Sequence, residues 1–128
     1  MRILLDTHVL LWWLLGNETV PLAVRAAIAD NENEVFVSAA SVWEISIKYK
    51  RGKLPTAAVL IGDLDKLVAR RGFSGLAITL DHGDRAGSLP LLHKDPFDRM
   101  LIAQAMVESL TLVSNERLFD RYGVARLW

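Results

Sequence analysis

The feature that most constrains this chain is a set of short, mostly apolar runs separated by longer segments with helical patterns. The runs cover residues 3–5, 35–37, 76–78, 110–113 and 124–127. Strands that are apolar at every position, rather than at every second one, are buried on both faces. Strands that alternate with helices form a parallel sheet covered by helices. The sequence therefore predicts an α/β fold of three layers, α/β/α, with a central, mostly parallel sheet of four to five strands.

The segments between these runs carry the spacing and the end signals of helices. Ser38 is suited to cap the helix that follows it, and Gly52 and Gly72 are suited to end helices. The predicted helices cover residues 9–15, 21–30, 39–50, 57–71, 81–88 and 95–108. A chain of 128 residues without a repeat or a linker predicts a single domain over residues 1–128.

Composition excludes several classes of function. The chain has no cysteine, which rules out disulfides, thiolate catalysis, zinc–thiolate sites and iron–sulfur ligation. Lys and Arg number 15, as do Asp and Glu, so a protein that coats nucleic acid through its overall charge is not expected. The longest apolar stretch, residues 9–15, is too short to cross a bilayer. We therefore expect no membrane partner and a cytoplasmic location.

Carboxylates follow the predicted strands at positions where a parallel sheet would gather them. Asp6 ends the first strand, and Glu44 lies two turns into the helix after the second. Asp95 and Asp98 open the helix that precedes the fourth strand, and Glu116 follows that strand. Ligands of such sheets bind beyond the carboxyl ends of the strands. We therefore expect these five side chains to meet at one edge of the sheet.

A cluster of carboxylates points to a metal ion, because carboxylates in one place resist ionising together. The candidate set contains oxygen ligands, without cysteine and without a pair of histidines at ligand spacing. Oxygen ligands of this kind select Mg²⁺ or Mn²⁺. Such an ion acidifies a bound water and neutralises charge that develops on a phosphoryl oxygen. Phosphodiester hydrolysis is the reaction that this site suits best.

Each carboxylate also has a structural interpretation. Asp6 is suited to cap the helix that follows it, and Asp95, which precedes Pro96, is suited to cap another. Glu44 is suited to pair with Lys48, four residues further along its helix. Their convergence at one edge of one sheet, rather than any single residue, carries the functional interpretation.

Four segments of the chain, in order, match a known family. They are residues 4–12 (LLDTHVLLW), residues 37–45 (VSAASVWEI) running into Lys48 and Gly52-Lys53-Leu54, residues 93–105 (HKDPFDRMLIAQA) and residues 112–116 (LVSNE). With these motifs the chain resembles, over essentially its whole length, the PIN-domain ribonucleases of the VapC type. Members of that group are the toxins of bacterial toxin–antitoxin pairs.

The resemblance implies a metal-dependent endoribonuclease whose ligands fall on Asp6, Glu44 and Asp98, with Asp95 nearby. Glu116 stands where the family usually has an aspartate, and by the resemblance we expect it to be a further catalytic and metal-binding residue. The resemblance also implies supporting roles for Thr7 and Ser114, which occupies the place of the usual threonine. The implied cofactor is Mg²⁺ or Mn²⁺.

The same resemblance implies partners. The substrate would be RNA, with tRNA as one candidate, and the chain would form a homodimer and a higher assembly with a small antitoxin protein that inhibits it. One of Trp12 and Trp13 is expected at an interface, because neighbouring helical residues do not face one core. Basic residues near the proposed ligands are candidates for RNA contact: Lys48, Arg51, Lys94 and Arg99.

Two alternatives stand beside this interpretation. A catalytically inactive PIN fold could serve as a binding module, and the Glu116 replacement is the feature that favours it. A phosphohydrolase using Asp6 as a covalent nucleophile usually has a second aspartate two residues later, where this chain has His8. That mismatch argues against the covalent mechanism.

Overall fold

The computed structural model describes residues 1–128 and contains one sheet of five strands. The strands are β1 (Arg2–Leu5), β2 (Glu34–Ser38), β3 (Ser74–Leu76), β4 (Thr111–Val113) and β5 (Arg126–Leu127). Their order across the sheet is β3-β2-β1-β4-β5, and every neighbouring pair is parallel. The predicted parallel α/β fold is confirmed, with the first apolar run of the sequence as the central strand.

Helices cover both faces of the sheet. They are α1 (Thr7–Leu14), α2 (Leu22–Ala29), α3 (Ala39–Lys50), α4 (Leu64–Arg70), α5 (Leu80–Ser88) and α6 (Pro96–Glu108). Ile3 and Leu5 of β1 belong to one apolar core with buried residues of α1 to α4, whereas Leu4 belongs to another with α5 and α6. Alternate side chains of a strand point to opposite faces, so one strand anchors both helical layers. No helix of the structure combines the length and the apolar character needed to cross a membrane.

The structure differs from the sequence predictions in two segments. Residues 57–71 do not form one helix: a 3₁₀ helix over Pro55–Val59 is followed by a turn and then by α4. Gly62 in that turn has a φ of 89°, which no helix accommodates. The third strand lies at Ser74–Leu76 rather than at 76–78, because the side chain of Thr79 already caps α5 through the backbone N–H of His82.

The topology places a crevice beside the end of β1. From β1 the chain pairs with β2 on one side, and it returns much later to add β4 on the other. Leu5 stands opposite Val113 in the register, and the N–H of Asp6 donates to the carbonyl of Val113 at 3.0 Å. Asp6 and Ser114 therefore leave the sheet side by side, at the position where parallel α/β sheets bind ligands.

Candidate metal centre

Asp6 is fixed by hydrogen bonds to both of its carboxylate oxygens. Oδ1 accepts from the backbone N–H of His8 at 3.0 Å, which makes Asp6 the N-cap of α1, and Oδ2 accepts from the hydroxyl of Ser114. Burial alone would raise the pKa of Asp6, but the hydrogen bonds from His8 and Ser114 outweigh it and lower that pKa. The buried Asp6 is therefore an ionised, immobile carboxylate at the end of β1, and capping a helix does not remove it from the site.

Glu44 points from α3 into the same region and is 2% exposed. Its Oε2 accepts from the ammonium of Lys48, the pairing expected at this spacing. Its Oε1 is buried and has no hydrogen-bond partner. Nearly all buried polar atoms in proteins have a partner, so an unpartnered carboxylate oxygen needs an explanation. A bound cation would provide it.

Asp98 lies in the first turn of α6, where Oδ2 is 2.9 Å from Nε2 of His93. Burial raises the pKa of Asp98 to about 7, with further contributions from the negative charges of Asp6, Asp95 and Glu44. These three carboxylates are thus close enough to Asp98 to disfavour its ionisation. Four of the five predicted acidic residues form one electrostatically coupled group, which we call the carboxylate cluster: Asp6, Glu44, Asp95 and Asp98.

Asp95 also performs the capping role that its position before Pro96 indicated. Its Oδ1 accepts from the backbone N–H groups of Phe97, at 2.8 Å, and Asp98, at 3.4 Å. Its own N–H donates to Nδ1 of His93 at 3.2 Å. Since Nδ1 of His93 accepts this bond, Nε2 carries the proton and donates a hydrogen bond to Asp98. His93 is thereby the positioning partner of Asp98, a role that the sequence did not assign.

Glu116 caps the short helix that follows β4. It is exposed, and its Oε1 accepts from the N–H of Leu118 at 3.1 Å, capping the 3₁₀ helix Arg117–Tyr122. Its charge is not among those that raise the pKa of Asp98. We do not count Glu116 in the carboxylate cluster, because no contact of its side chain with a residue of that cluster is present and its carboxylate bonds its own 3₁₀ helix. The buried Ser114 beside it bonds Asp6 instead.

Thr7 connects two helices rather than facing the cluster with a free hydroxyl. Its Oγ1 donates to Oγ of Ser41 at 2.9 Å, and both residues are buried. This bond joins the start of α1 to α3, the helix that carries Glu44. Thr7 therefore acts on the cluster by holding the spacing between the elements that supply Asp6 and Glu44.

The donor chemistry of the cluster fits Mg²⁺ or Mn²⁺. Its potential ligands are carboxylate oxygens, which these hard ions prefer. As the side chains lie in this structure, no group of three acidic or histidine residues is arranged to hold a metal ion. Lys48 and His93 hold one oxygen each of Glu44 and Asp98. The unpartnered Oε1 of Glu44 and the raised pKa of Asp98 mark the two places where a cation would relieve an unfavourable charge.

Arg99 cannot take the RNA-contact role that its position in the sequence suggested. The residue is 8% exposed, and its guanidinium donates to the carbonyls of Ala86, Leu89, Pro90 and His93 at distances of 2.8–3.1 Å. Through these four bonds it ties the segment between α5 and α6 to α6. Arg51 and Lys94 are exposed, and Lys48 is half-buried beside Glu44.

An apolar groove lies next to the cluster, between α3 and α6. Trp43 and Phe97 meet there with ring centroids 5.3 Å apart, and the groove has a volume of about 360 Å³. Trp43 is 60% exposed, although Glu44 beside it is buried. Both Trp12 and Trp13 instead pack partly buried against the core of α1 to α4, so the exposed tryptophan of the site is one that the sequence did not single out.

The acidic side chains gather at the carboxyl end of the central strand, where parallel α/β sheets bind their ligands. A family model described as PIN domain matches residues 3–125. The chain belongs to the PIN-domain family.

Individual relatives give the same result. The chain is 39% identical over 62 residues to a protein named ribonuclease VapC16 from Mycobacterium tuberculosis, an alignment that covers 48% of this chain and 43% of that protein. Against ribonuclease VapC22 from the same organism, it is 28% identical over 116 residues, covering 90% and 87%. The alignment thus spans less than half of the first relative and most of the second.

Solved structures share the fold across nearly the whole chain. VapBC2 from Rickettsia felis, solved with a DNA fragment from its promoter, superposes with a TM-score of 0.68 at 17% identity, covering 99% of this chain and 98% of that one. FitAcB from Neisseria gonorrhoeae superposes with a TM-score of 0.64 at 19% identity, covering 98% and 96%. At these identities the likeness establishes the fold.

Proposed function

We propose that this protein is a Mg²⁺- or Mn²⁺-dependent endoribonuclease that hydrolyses RNA phosphodiester bonds. The carboxylate cluster carries the proposal, because burial and three neighbouring acids raise the pKa of Asp98 to about 7, and because the buried Oε1 of Glu44 has no hydrogen-bond partner. A fold has little reason to gather such charges unless a cation compensates them. Relatives named ribonuclease VapC support RNA as the substrate.

Asp6, Glu44 and Asp98 would hold the ion, with Asp95 close by. A bound Mg²⁺ or Mn²⁺ supplies Lewis acidity that activates water and neutralises charge on a phosphoryl oxygen. The chain contributes the placement: Ser114 and the N–H of His8 fix Asp6, and His93 orients Asp98. The exposed Arg51 and Lys94 provide positive charge at the rim for the RNA backbone. Glu116 stays a candidate for a role at that rim.

The proposal includes partners. Two of the structural neighbours are VapBC2 and FitAcB, and we infer that this chain is likewise a toxin inhibited by a small antitoxin protein. A homodimer, and a higher assembly with the antitoxin, belong to the same proposal. Exposed apolar side chains such as Trp43 and Leu80 give the surface the chemistry for protein contacts. With cellular RNA as the substrate, the proposed activity belongs in the cytoplasm.

Cleavage of bulk cellular RNA is the direct test of the proposed function. We expect purified, antitoxin-free protein to produce discrete fragments in Mn²⁺ or Mg²⁺ and none in EDTA, because the cluster needs a cation to act. Fragment mapping on a sequencing gel would then identify the RNA that is cut. Absence of cleavage, together with no response of the protein to metal, would refute the nuclease and favour the inactive binding module.

Metal should also stabilise the folded protein. A ligand that binds the folded state alone adds RT ln(1 + [L]/Kd), about 1.4 kcal/mol at ten times Kd, which shifts Tm by a few degrees. We expect millimolar Mn²⁺ to raise the Tm of the parent by that amount and to have little effect on Glu44→Gln. Glu32→Gln alters an exposed acid in the turn before β2, at the end of that strand opposite to the cluster. It should respond like the parent. A Tm that is constant across the titration in the parent would argue against the site.

A further inference from the structure

A second, polar pocket borders Glu44 and lies between α1 and the end of α3. Its volume is about 360 Å³. Its lining includes two lysines and one histidine around the buried Glu44, and the full set is Thr7, His8, Leu11, Glu44, Lys48, Lys53 and Leu54. Metal binding at the carboxylate cluster would use Glu44 of this lining and gives no role to Lys53.

The turn that ends α3 determines where Lys53 lies. Gly52 has a φ of 74°, its N–H donates to the carbonyl of Tyr49, and the N–H of Lys53 donates to the carbonyl of Lys48, both at 2.9 Å. This pair of bonds is the Schellman arrangement, which favours glycine because of the left-handed conformation. The chain reverses here and sets the backbone of Lys53 beside Lys48, while the following Leu54 packs on the core. The position of Lys53 is thus built into the fold.

The two lysines differ in the charge that they have available. Nζ of Lys48 is bonded to Oε2 of Glu44, and that carboxylate compensates its charge. Lys53 is exposed and takes part in no ion pair with any carboxylate of the chain. An uncompensated ammonium in a polar pocket, one wall away from a cluster of acids, is a binding group for an anion.

We propose that this pocket binds a phosphate of the RNA backbone next to the scissile one, with Lys53 as the contacting residue. The inference rests on the proposed function, because it takes RNA as the occupant. Holding a neighbouring phosphate at Lys53 would draw the strand along the Glu44 wall and place the next phosphodiester at the carboxylate cluster. Lys53 is therefore a positioning residue, and its removal should weaken binding rather than the chemical step.

The test compares Lys53→Ala with Lys50→Ala, an exposed lysine of the same helix end that does not line the pocket. Binding of a fluorescein-labelled, mixed-sequence single-stranded RNA, about 20 nucleotides long, is measured by anisotropy in EDTA at several salt concentrations. Loss of one phosphate contact should weaken binding about fivefold and reduce the salt slope by about 0.7. Lys53→Arg should restore both values, and Lys50→Ala should change Kd less than twofold.

Cleavage kinetics in Mn²⁺ give the second readout. We expect Lys53→Ala to raise KM with little change in kcat, since a phosphate away from the reacting bond contributes equally to the ground state and the transition state. If Lys53→Ala matches Lys50→Ala in both assays while the parent binds and cuts RNA, the pocket assignment is wrong and the proposed function stands. If the parent neither binds nor cuts RNA, the proposed function fails, and this inference fails with it.

Inorganic phosphate separates the two sources of a phosphate group. Added phosphate should compete weakly, displacing RNA from the parent at millimolar concentrations and above, because a single backbone phosphate is one contact among several. Displacement at micromolar phosphate, lost in Lys53→Ala, would show that a small free anion is the occupant and would overturn the assignment to RNA.

Discussion

Replacing Asp98 by asparagine is expected to abolish metal-dependent RNA cleavage and, in the absence of metal, to stabilise the protein at alkaline pH. Cleavage should fall more than about 100-fold, since groups that merely orient metal ligands already cost about 10–100-fold when they are removed. The substitution keeps the shape of the side chain and removes a charge that three neighbouring carboxylates oppose. An increase in stability that accompanies a loss of activity distinguishes a site residue from a structural one.

The pH dependence of that stabilisation follows from the direction of the pKa shift. The pKa of Asp98 is about 7 in the folded protein against a reference value of 3.8. The folded state therefore binds a proton more tightly, and this group destabilises the parent progressively as pH rises from about 4, in full above pH 7. Asp98→Asn has no ionisable group at this position, so it does not suffer this loss of folding stability. We expect a gain on the order of 2 kcal/mol at pH 8 and almost none at pH 4, since the amide of asparagine accepts a weaker bond from His93 than the carboxylate does.

Urea unfolding in EDTA at pH 4 and pH 8 measures the effect, with Asp81→Asn as the control. Asp81 is also an acid in the first turn of a helix, but it is exposed on α5. Its replacement should lose a small favourable interaction with the helix dipole and leave cleavage unchanged. A destabilised, inactive Asp98→Asn at pH 8 would instead mean that Asp98 maintains α6 rather than a metal ion.

Sequence patterns predicted the sheet because strands that are buried on both faces consist mostly of apolar residues. Ile3, Leu4 and Leu5 are each 0% exposed, and that requirement admits nothing except apolar residues at three consecutive positions. The same logic placed Asp6 at the edge of the sheet, since chemistry in a parallel sheet gathers where the strands end. Capping and site membership were posed as competing roles for Asp6 and Asp95, and the structure shows that one carboxylate can cap a helix while its charge acts on the cluster.

Other features depended on side-chain direction, which a one-dimensional pattern does not encode. Glu116 follows β4 as predicted, and its carboxylate accepts from the backbone N–H of Leu118 two residues later, a bond that no pattern in the sequence indicated. His93 contacts Asp98 because the segment before α6 folds back on that helix. No local sequence motif predicts this contact. Gly62 interrupted the predicted helix over 57–71 through a conformation rather than a change in hydropathy.

Arg99→Met is expected to destabilise the protein by about 3–5 kcal/mol, because several carbonyls lose a charged donor. The buried guanidinium donates to four carbonyls between Ala86 and His93, and methionine fills the space without replacing any of those bonds. Removing the guanidinium leaves carbonyls of this segment without the donor that they have in the folded protein, which is why such a change is costly. Urea unfolding at pH 7 measures the loss, with Arg121→Met, an exposed arginine, expected to change stability by less than about 0.5 kcal/mol.

The Arg99 substitution also tests whether the scaffold behind the cluster determines its geometry. The carbonyl of His93 is one of the four that Arg99 holds, and the ring of the same residue donates to Asp98. The hydroxyl of Tyr122 supports this segment independently, by accepting from the N–H of His93 and donating to the carbonyl of Pro90. At a temperature where Arg99→Met is still folded, we expect kcat to fall about tenfold with a small change in KM, because His93 no longer holds Asp98 in place. Full activity in the folded variant would show that Tyr122 alone positions His93, and a stability loss below about 1 kcal/mol would contradict the account of Arg99 as the anchor of this segment.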